Sequence, residues 1–473
     1  MSNKKKNLLY IFADQWRYHA VGEVGEDPVL TPNMDVFAKE AMRCDQAVST
    51  YPLCSPHRAS LLTGRYPLSC GMWTNCKPGL YDKLMLRDQE TLISDVLHDE
   101  GYDTAYIGKW HLDASELNFH RRPASGAVNW DAYTPPGDRR HHFDFWYSYG
   151  AMDNHLDPHY WMDTERQLKP GKWSVENETD VALEYLSRQR DGMAAGASSD
   201  GKPFCMFLSW NPPHPPYDQV PEKYLQLYPE GSEVFRKNVP RSMMEDPEYR
   251  KAWREYYAAV SGVDEQFGRI LDYLKRTGLD KDTIVVLSAD HGDCMGSHGV
   301  YGKNVWWEES VRIPLYVRGP QVVPGTTDTL LVSCDHMPTL LDLLEAPIPD
   351  TVEGVSHAKV FRGERLGQSV REHAFLCMVP GMPSMVAEYT RRGLDNRCFG
   401  WRGVRTLRHT YVVDNGTVPG TPQRRFLYDN LEDPYQMAGM ELSADDPVCK
   451  DWDDILRSYF AQQQDGFLLE NRI

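Results

Sequence analysis

The chain has 473 residues, of which 41% are hydrophobic and 25% are charged, a composition typical of a folded globular protein with room for more than one domain. Its 68 acidic and 51 basic residues give a formal net charge of −17 at pH 7. This negative field repels nucleic acid and acidic membrane surfaces, so we expect neither as a partner. A site for an anionic ligand must therefore be locally positive.

The start of the chain places lysines before a short apolar run that ends at Asp14. This run is too short for a signal peptide and lacks a small-residue cleavage site, and no later segment is long enough to span a bilayer. The ten cysteines are scattered without a C-x-x-C motif, which is typical of free thiols in a reducing compartment. We therefore expect a cytoplasmic protein, unless a leader has been removed.

Short apolar runs alternate with amphipathic segments over most of the chain. The predicted buried strands are 8–13, 104–107, 204–209, 283–289 and 313–317, and the predicted helices between and after them are 88–100, 256–277 and 337–344. Residues 119–161 look irregular and rich in aromatic side chains, and 194–202 are predicted to form a surface loop. This alternation predicts an α/β fold with a mostly parallel central sheet sandwiched by helices.

The alternation stops near residue 371. Strand-like segments 401–407, 411–414 and 425–429 follow with turn residues between them, and a closing helix is predicted at 451–462. We therefore predict two domains: residues 1–370 with the parallel sheet, and residues 371–473 as a smaller α+β subdomain with an antiparallel sheet that contributes to the substrate pocket.

Polar residues stand where four of the predicted strands end, and ligands bind beyond the carboxyl ends of strands in open α/β sheets. The four groups are Asp14-Gln15, Lys109-Trp110-His111, Asn211 to His214, and Asp290-His291. Asp14, Gln15, Asp290 and His291 have the ligand types for one divalent cation. Their oxygens favour Ca²⁺ or Mg²⁺, and the imidazole favours Mn²⁺ or a softer metal, so the identity of the ion stays open. The alternative is that these residues are unrelated caps of turns and helices.

The segment Cys54-Ser55-Pro56-His57-Arg58 is the most informative motif. Ser55 can cap a helix and Pro56 suits its first position, so a helix is predicted to begin directly after Cys54. The side chain of Cys54 would then lie at a helix N-terminus, where an anion is favoured and which Arg58 can also reach. These residues indicate a nucleophilic or anion-binding cysteine, with a buried inert cysteine as the alternative.

This motif resembles the C-x-P-x-R signature of type I sulfatases, which belong to the alkaline phosphatase superfamily. The resemblance extends along nearly the whole chain, in the order T-P-N-M-D at 31–35, G-K-W-H at 108–111, P-H-P-P at 213–216, D-H-G at 290–292, D-H-M-P-T-L-L at 335–341 and L-Y-D at 427–429. It implies an alkaline-phosphatase-like fold and hydrolysis of sulfate monoesters of a saccharide or an aryl alcohol. It also implies that a maturase oxidises Cys54 to formylglycine.

The resemblance also implies roles for individual residues. Residue 54 would join Asp14, Gln15, Asp290 and His291 around one divalent ion, with Ca²⁺ expected and Mn²⁺ or Mg²⁺ open. The remaining catalytic residues would be Arg58, Lys109, His111, His214 and Lys303. In this scheme His214 protonates the departing alcohol, with Lys303 as a second candidate for this role, and His111 removes a proton from residue 54. Lys109 and Lys303 stabilise negative charge on the sulfate oxygens, and Arg58 bridges the nucleophile and the metal site.

One departure from the family pattern keeps a second function open. Most sulfatases have two aspartates where this chain has Asp14-Gln15, and the variant resembles the phosphonate monoester hydrolase branch. Asn75, 21 residues beyond Cys54, also resembles an active-site asparagine of that branch. Lys109 and His111, in contrast, are the sulfatase-type pair. A phosphonate monoester or phosphodiester hydrolase is therefore the alternative, and a non-catalytic binder of sulfated glycans is a third.

Candidate substrate contacts lie among aromatic and basic side chains. Trp306 follows Lys303 closely, and Arg402 is one of several arginines in the C-terminal subdomain. With Asn75, we expect these two residues to contact a sulfated saccharide, through stacking on the sugar or through a carboxylate or second sulfate. Packing and solvated charge explain the two residues equally well. The sequence gives no indication of the oligomeric state.

Overall fold

The computed structural model describes residues 5–80, 84–190, 202–364 and 370–469. Their strands are β1 (Asn7–Ala13), β2 (Met42–Val48), β3 (Asp103–Lys109), β4 (Phe145–Tyr149), β5 (Phe204–Trp210), β6 (Thr283–Ala289), β7 (Leu315–Arg318), β8 (Gly325–Val332), β9 (Ala374–Met378), β10 (Trp401–Arg405), β11 (His409–Asp414), β12 (Arg424–Asp429) and β13 (Met440–Leu442). Their α-helices are α1 (Pro32–Ala38), α2 (Cys54–Thr63), α3 (Ile93–Asp99), α4 (Ser174–Arg190), α5 (Glu222–Leu225), α6 (Arg241–Met244), α7 (Pro247–Thr277), α8 (Glu308–Val311), α9 (His336–Leu343), α10 (Ala358–Phe361), α11 (Pro383–Arg391) and α12 (Pro447–Gln463).

The larger sheet has eight strands in the order β4-β3-β5-β1-β6-β7-β2-β8. The first five strands of this order, β4 to β6, run parallel to one another, β7 is antiparallel to both of its neighbours, and β2 is parallel to β8. In β1, Leu8 pairs with Cys205 on one side and Ile284 on the other. The prediction of an α/β fold with a mostly parallel sheet is confirmed.

Two groups of helices cover this sheet. In the first, α1, α4, α5 and α6 pack against α7, and in the second, α2 and α10 pack against α9. The Tyr10 hydroxyl of β1 hydrogen-bonds His336 of α9, and the ring of Phe12 lies 4.8 Å from the Arg58 guanidinium of α2. Because every residue of β1 is buried, its other face is covered as well. The apolar strands therefore form the centre of the main core.

Two details of the larger sheet differ from the prediction. Residues 145–149, inside the region predicted to be irregular, form the edge strand β4, whose aromatic side chains pack on Tyr160 and Trp110. The predicted strand 313–317 is present as β7 but runs antiparallel to both of its neighbours, β6 and β2. Residues 194–201 of the predicted surface loop lie outside the described residues.

The smaller sheet has five antiparallel strands in the order β13-β12-β11-β10-β9. Its apolar face packs with α12 and with Val48, Tyr51 and Leu330 at the edge of the larger sheet to form a second core. The predicted antiparallel C-terminal sheet is confirmed, while the domain boundary at 370/371 stays a prediction. Within the described part of the chain, no helix combines the length and the hydropathy that crossing a membrane requires.

A fully buried ion pair ties the smaller sheet to the end of the chain. The Arg402 guanidinium of β10 donates to both carboxylate oxygens of Asp465, at 2.5 and 2.9 Å, and lies 4.6 Å from the ring centroid of Phe467. Neither charged side chain is accessible to solvent. Breaking such a pair by removing one partner leaves the other charge buried without compensation.

We expect Arg402→Ala to lower the free energy of unfolding by about 3–5 kcal/mol, because Asp465 loses its buried partner. The matched control is Arg424→Ala, which breaks an ion pair with Glu441 of similar geometry but with both side chains more than half exposed. The control should lose less than about 1 kcal/mol. Equilibrium urea unfolding measures both variants, and equal losses would contradict this account of the pair.

Candidate active site

The polar residues that follow four strands converge at one edge of the larger sheet. The strands β3, β5, β1 and β6 are consecutive neighbours and run in the same direction, so their carboxyl ends meet. Lys109 at the end of β3 illustrates this arrangement. Its ammonium group donates to Asp14 after β1, at 2.6 Å, and to Asn211 after β5, at 3.0 Å. The sequence had predicted that these strand ends share an edge.

Four buried side chains could hold a metal ion. The ligand atoms of Asp14, Cys54, Asp290 and His291 all lie within 4.8 Å of one another. The Nδ1–H of His291 donates to the Gly292 carbonyl, which leaves Nε2 as the ligand atom for an ion, 3.5 Å from oxygens of Asp14 and Asp290. Two carboxylates and an imidazole suit a divalent cation such as Ca²⁺ or Mn²⁺.

Gln15, predicted as a ligand, lies beside this group. Its amide oxygen accepts a hydrogen bond of 2.7 Å from Lys303, and its amide nitrogen donates to Asp293 at 2.6 Å. Asp293 also accepts hydrogen bonds from Tyr217 and from two backbone amides, so the Gln15 side chain is held in one orientation. The amide oxygen of Gln15 therefore faces a positive charge, as a metal ligand would.

The two carboxylates of this group are balanced by cations. Arg58 of α2 lies 3.1 Å from both Asp14 and Asp290. Burial disfavours the charge on Asp14, but the Lys109 and Lys303 ammonium groups hold its pKa well below the usual range. Burial, followed by the charge of Asp14, raises the pKa of Asp290. Asp14 is thus the more firmly ionised of the two.

The helix that presents Cys54 begins one residue earlier than predicted, and its cap is different. Cys54 is itself the first residue of α2, and the Ser55 hydroxyl donates to the carbonyl of His111 at 2.6 Å instead of capping the helix. Asn75 supplies the missing acceptor, because its side-chain oxygen receives the Ser55 N–H at 2.9 Å. The predicted Ser55 cap is therefore wrong, but Cys54 does lie at the helix N-terminus.

The Cys54 sulfur lies in a positively charged environment. It is 3.1 Å from the Lys303 ammonium, 3.9 Å from that of Lys109 and 3.5 Å from Nε2 of His291. Burial and the Asp14 carboxylate oppose ionisation, but the two lysines prevail and hold the pKa of the thiol well below its usual range. These features are typical of a reactive cysteine and not of an inert core residue.

Two histidines complete the centre. His111 donates from Nε2 to the Cys76 carbonyl at 3.0 Å, and its buried Nδ1 has no hydrogen-bond partner among the described residues. Burial lowers the pKa of His111, so its ring is neutral at pH 7 and Nδ1 can accept a proton. His214 donates from Nδ1 to the Pro215 carbonyl at 2.7 Å, which leaves its Nε2 unused by that bond.

These groups open into a cavity of about 870 Å³. Its described lining contains three lysines, three histidines and one acid, in contrast to the negative charge of the whole chain: Lys77, Lys109, Lys303, His111, His159, His214 and Asp153. Methionines from the C-terminal part of the chain form an apolar wall: Met378, Met382 and Met385. The sequence interpretation missed Lys77 and this wall, because neither belongs to a motif.

Two predicted substrate contacts lie elsewhere. Trp306 packs on Trp401 and Phe426 and donates to the Tyr428 hydroxyl, and Arg402 is buried in its pair with Asp465. Neither residue lines the cavity, so we withdraw both as substrate contacts. Asn75 does line the cavity, but its oxygen is used by the backbone of α2.

Comparison with known proteins gave consistent results. A family model described as "Sulfatase" matches residues 6–346. The chain is 36% identical to an "Endo-4-O-sulfatase" of Bacteroides thetaiotaomicron, covering 93% of this chain and 89% of that protein. It is also 34% identical to an "Ulvan-active sulfatase" of Formosa agariphila, covering 91% of this chain and 76% of that protein.

A solved structure agrees with these sequence matches. It belongs to a study of the metabolism of multiple glycosaminoglycans by Bacteroides thetaiotaomicron. It superimposes with a TM-score of 0.86 at 34% identity and covers 98% of this chain and 97% of its own.

We expect Ca²⁺ to stabilise the metal-free protein against unfolding, because an ion held by Asp14, Asp290 and His291 would bind only the folded chain. At 100 times the dissociation constant, the gain is about 2.7 kcal/mol. Thermal unfolding with and without Ca²⁺ measures it, with Mn²⁺ and Mg²⁺ as parallel additions. The gain should vanish in Asp290→Ala and persist in the control Asp451→Ala on the exposed surface of α12. No gain with any of the three ions would contradict the metal site.

Proposed function

Because the chain belongs to the sulfatase family, we propose that it hydrolyses the sulfate esters of a saccharide with a formylglycine made from Cys54 and one divalent cation. The observation that carries this proposal is the position of Cys54. Its side chain stands at the start of α2, within 4 Å of two lysines and beside the buried group of two carboxylates and an imidazole. That arrangement suits a nucleophile that attacks an anionic centre.

Asp14, Gln15, Asp290 and His291 would hold the cation, together with the oxygen that replaces the Cys54 sulfur. Ca²⁺ is the ion we propose, since three of the four side chains offer oxygen. When bound, the ion supplies a Lewis acid that makes a hydroxyl at residue 54 more acidic. Arg58 keeps both carboxylates in place from the side of α2.

A formylglycine at position 54 supplies, as its hydrate, one hydroxyl that can attack sulfur and a second that can later lose its proton. Lys109 and Lys303 reach the Cys54 side chain and are placed to stabilise negative charge on the sulfate oxygens. His111 offers a free Nδ1 beside this residue and is our candidate for removing the second proton. His214 is our candidate for protonating the departing alcohol through Nε2.

A sulfated saccharide fits the cavity. The volume of the cavity, about 870 Å³, is large enough for more than one sugar. The cavity combines the basic centre with an apolar methionine wall and the ring of Trp130. The relatives include proteins named for activity on sulfated glycans. We also propose a cytoplasmic location and a maturase as partner. The ten cysteines are all unpaired, as a reducing compartment requires.

The alternative, a phosphonate monoester or phosphodiester hydrolase, rested on Gln15 and Asn75. Both side chains are engaged in structural hydrogen bonds, Gln15 with Lys303 and Asp293 and Asn75 with the start of α2. Their presence therefore has a local explanation. The ratio of rates on an aryl sulfate and an aryl phosphonate monoester decides between the two functions.

We expect mass spectrometry of the peptide that contains Cys54 to show loss of the thiol sulfur and two hydrogens and gain of one oxygen. Protein made in a host without a maturase should retain the thiol and be inactive. The variant Cys54→Ala should be inactive as well. The other buried cysteines of the matured protein, such as Cys205 at the centre of the sheet, serve as an internal control and should remain unmodified. Full activity in protein that carries only the thiol would overturn this nucleophile.

We expect His214→Asn to lower kcat on a sugar sulfate by about 10²–10⁴-fold, because the departing alkoxide then lacks its proton donor. The same variant should lose much less on 4-nitrophenyl sulfate, whose phenolate leaves without protonation. Steady-state kinetics on both substrates measures the contrast. His120→Asn, at an exposed position outside the cavity, is the matched control. Equal losses on the two substrates would assign His214 a different role.

A further inference from the structure

Lys77 differs from the other two lysines of the cavity. Lys109 and Lys303 both contact the Asp14 carboxylate, at 2.6 and 3.7 Å. Lys77 forms neither a hydrogen bond through its ammonium group nor an ion pair within the described residues, although its side chain is only 8% exposed. The only acid among the described lining residues is Asp153, which lies 3.4 Å from His214.

The contact that Lys77 does make is with an aromatic ring. Its ammonium nitrogen lies 5.1 Å from the centroid of Trp130, a cation–π arrangement. The acid next to Trp130 in the chain, Asp131, is not available to Lys77. One oxygen of Asp131 accepts three backbone amides, including those of Ala132 and Gly150, and the other contacts His159 at 2.7 Å.

Burial without an acidic partner is unfavourable for an ammonium group, and it lowers the pKa of Lys77 to about 8. An anion that binds beside Lys77 would compensate this cost. Lys77 is not within hydrogen-bonding distance of Cys54, unlike Lys109 and Lys303. Lys109 and Lys303 already contact residue 54, so Lys77 is available to bind a different anionic group of the substrate.

We propose that Lys77 and Trp130 form a second anion subsite of the cavity, which binds an acidic group on the sugar next to the one that carries the scissile sulfate. The exposed third of the Trp130 side chain offers a face for the sugar ring, and Lys77 offers the charge. This inference rests on the proposed function and makes it narrower. The substrate class is an acidic polysaccharide, in which a carboxylate or a further sulfate stands next to the sulfated sugar.

Binding to catalytically silent protein tests the subsite independently of turnover. The ligand is a tetrasaccharide of alternating hexuronate and O-sulfated N-acetylhexosamine, and the comparison ligand has its carboxylates reduced to alcohols. In a Cys54→Ala background, calorimetry should show that reduction weakens binding by roughly tenfold or more. Adding Lys77→Met should bring the ratio of the two ligands' dissociation constants close to one, and Lys77→Arg should retain most of the difference. A reduced ligand that carries a sulfate at the neighbouring sugar distinguishes sulfate from carboxylate as the bound group.

The control variant is Lys223→Met, which removes an exposed lysine outside the cavity and should leave the ratio unchanged. In protein with an intact residue 54, Lys77→Met should also lower the preference in kcat/KM for the carboxylate-bearing tetrasaccharide over its reduced form. The change should lie mainly in KM. If the two ligands bind equally well, or if Lys77→Met leaves the ratio unaltered, the subsite is disproved. Failure to release sulfate from any ester would instead disprove the proposed function, and the binding ratio would still decide on Lys77.

Discussion

Two neighbouring carboxylates, Asp14 and Asp290, are fully buried at the edge of the sheet, and the free-energy cost of their charges constrains the rest of the site. Burial of an ion without compensation costs several kcal/mol. Arg58 contacts both carboxylates and Lys109 contacts one, so the cost is offset by side chains from α2 and β3. The order of the strands and the position of α2 are therefore coupled, because the charges balance only when both are correct. A bound divalent cation would complete this balance.

The position of Cys54 depends on residues outside its own motif. The first turn of α2 is held by Asn75, which accepts the Ser55 N–H, and by the His111 carbonyl, which accepts the Ser55 hydroxyl. The same segment of chain carries His111, which lines the cavity and whose buried Nδ1 has no hydrogen-bond partner among the described residues. A positive φ at Gly108, whose missing Cβ would lie 2.1 Å from a backbone oxygen of β5, lets this segment turn beside its neighbour. The proposed nucleophile and the proposed proton acceptor are thus positioned by one connected set of contacts.

The sequence was sufficient for the central strands and for the residues at their ends, because buried parallel strands are apolar throughout and a charge at their end is conspicuous. It was insufficient where the decisive partner is distant. Arg402 was indistinguishable from a surface arginine, since its partner Asp465 is 63 residues away. Lys77 belongs to no sequence motif, and only the fold places Trp130 beside it. The direction of β7 was also not predictable, because an apolar run is compatible with a strand that runs either way relative to its neighbours.

The departure at Gln15 follows from the same charge balance. The Gln15 amide donates to Asp293 and accepts from Lys303 at the same time. An aspartate at position 15 could accept from Lys303 but could not donate, and its charge would face the buried Asp293 carboxylate. The glutamine is therefore suited to its neighbour Asp293, the last residue of the D-H-G-D segment that begins at Asp290. Gln15 is explained by this local requirement, so it does not by itself indicate phosphonate chemistry.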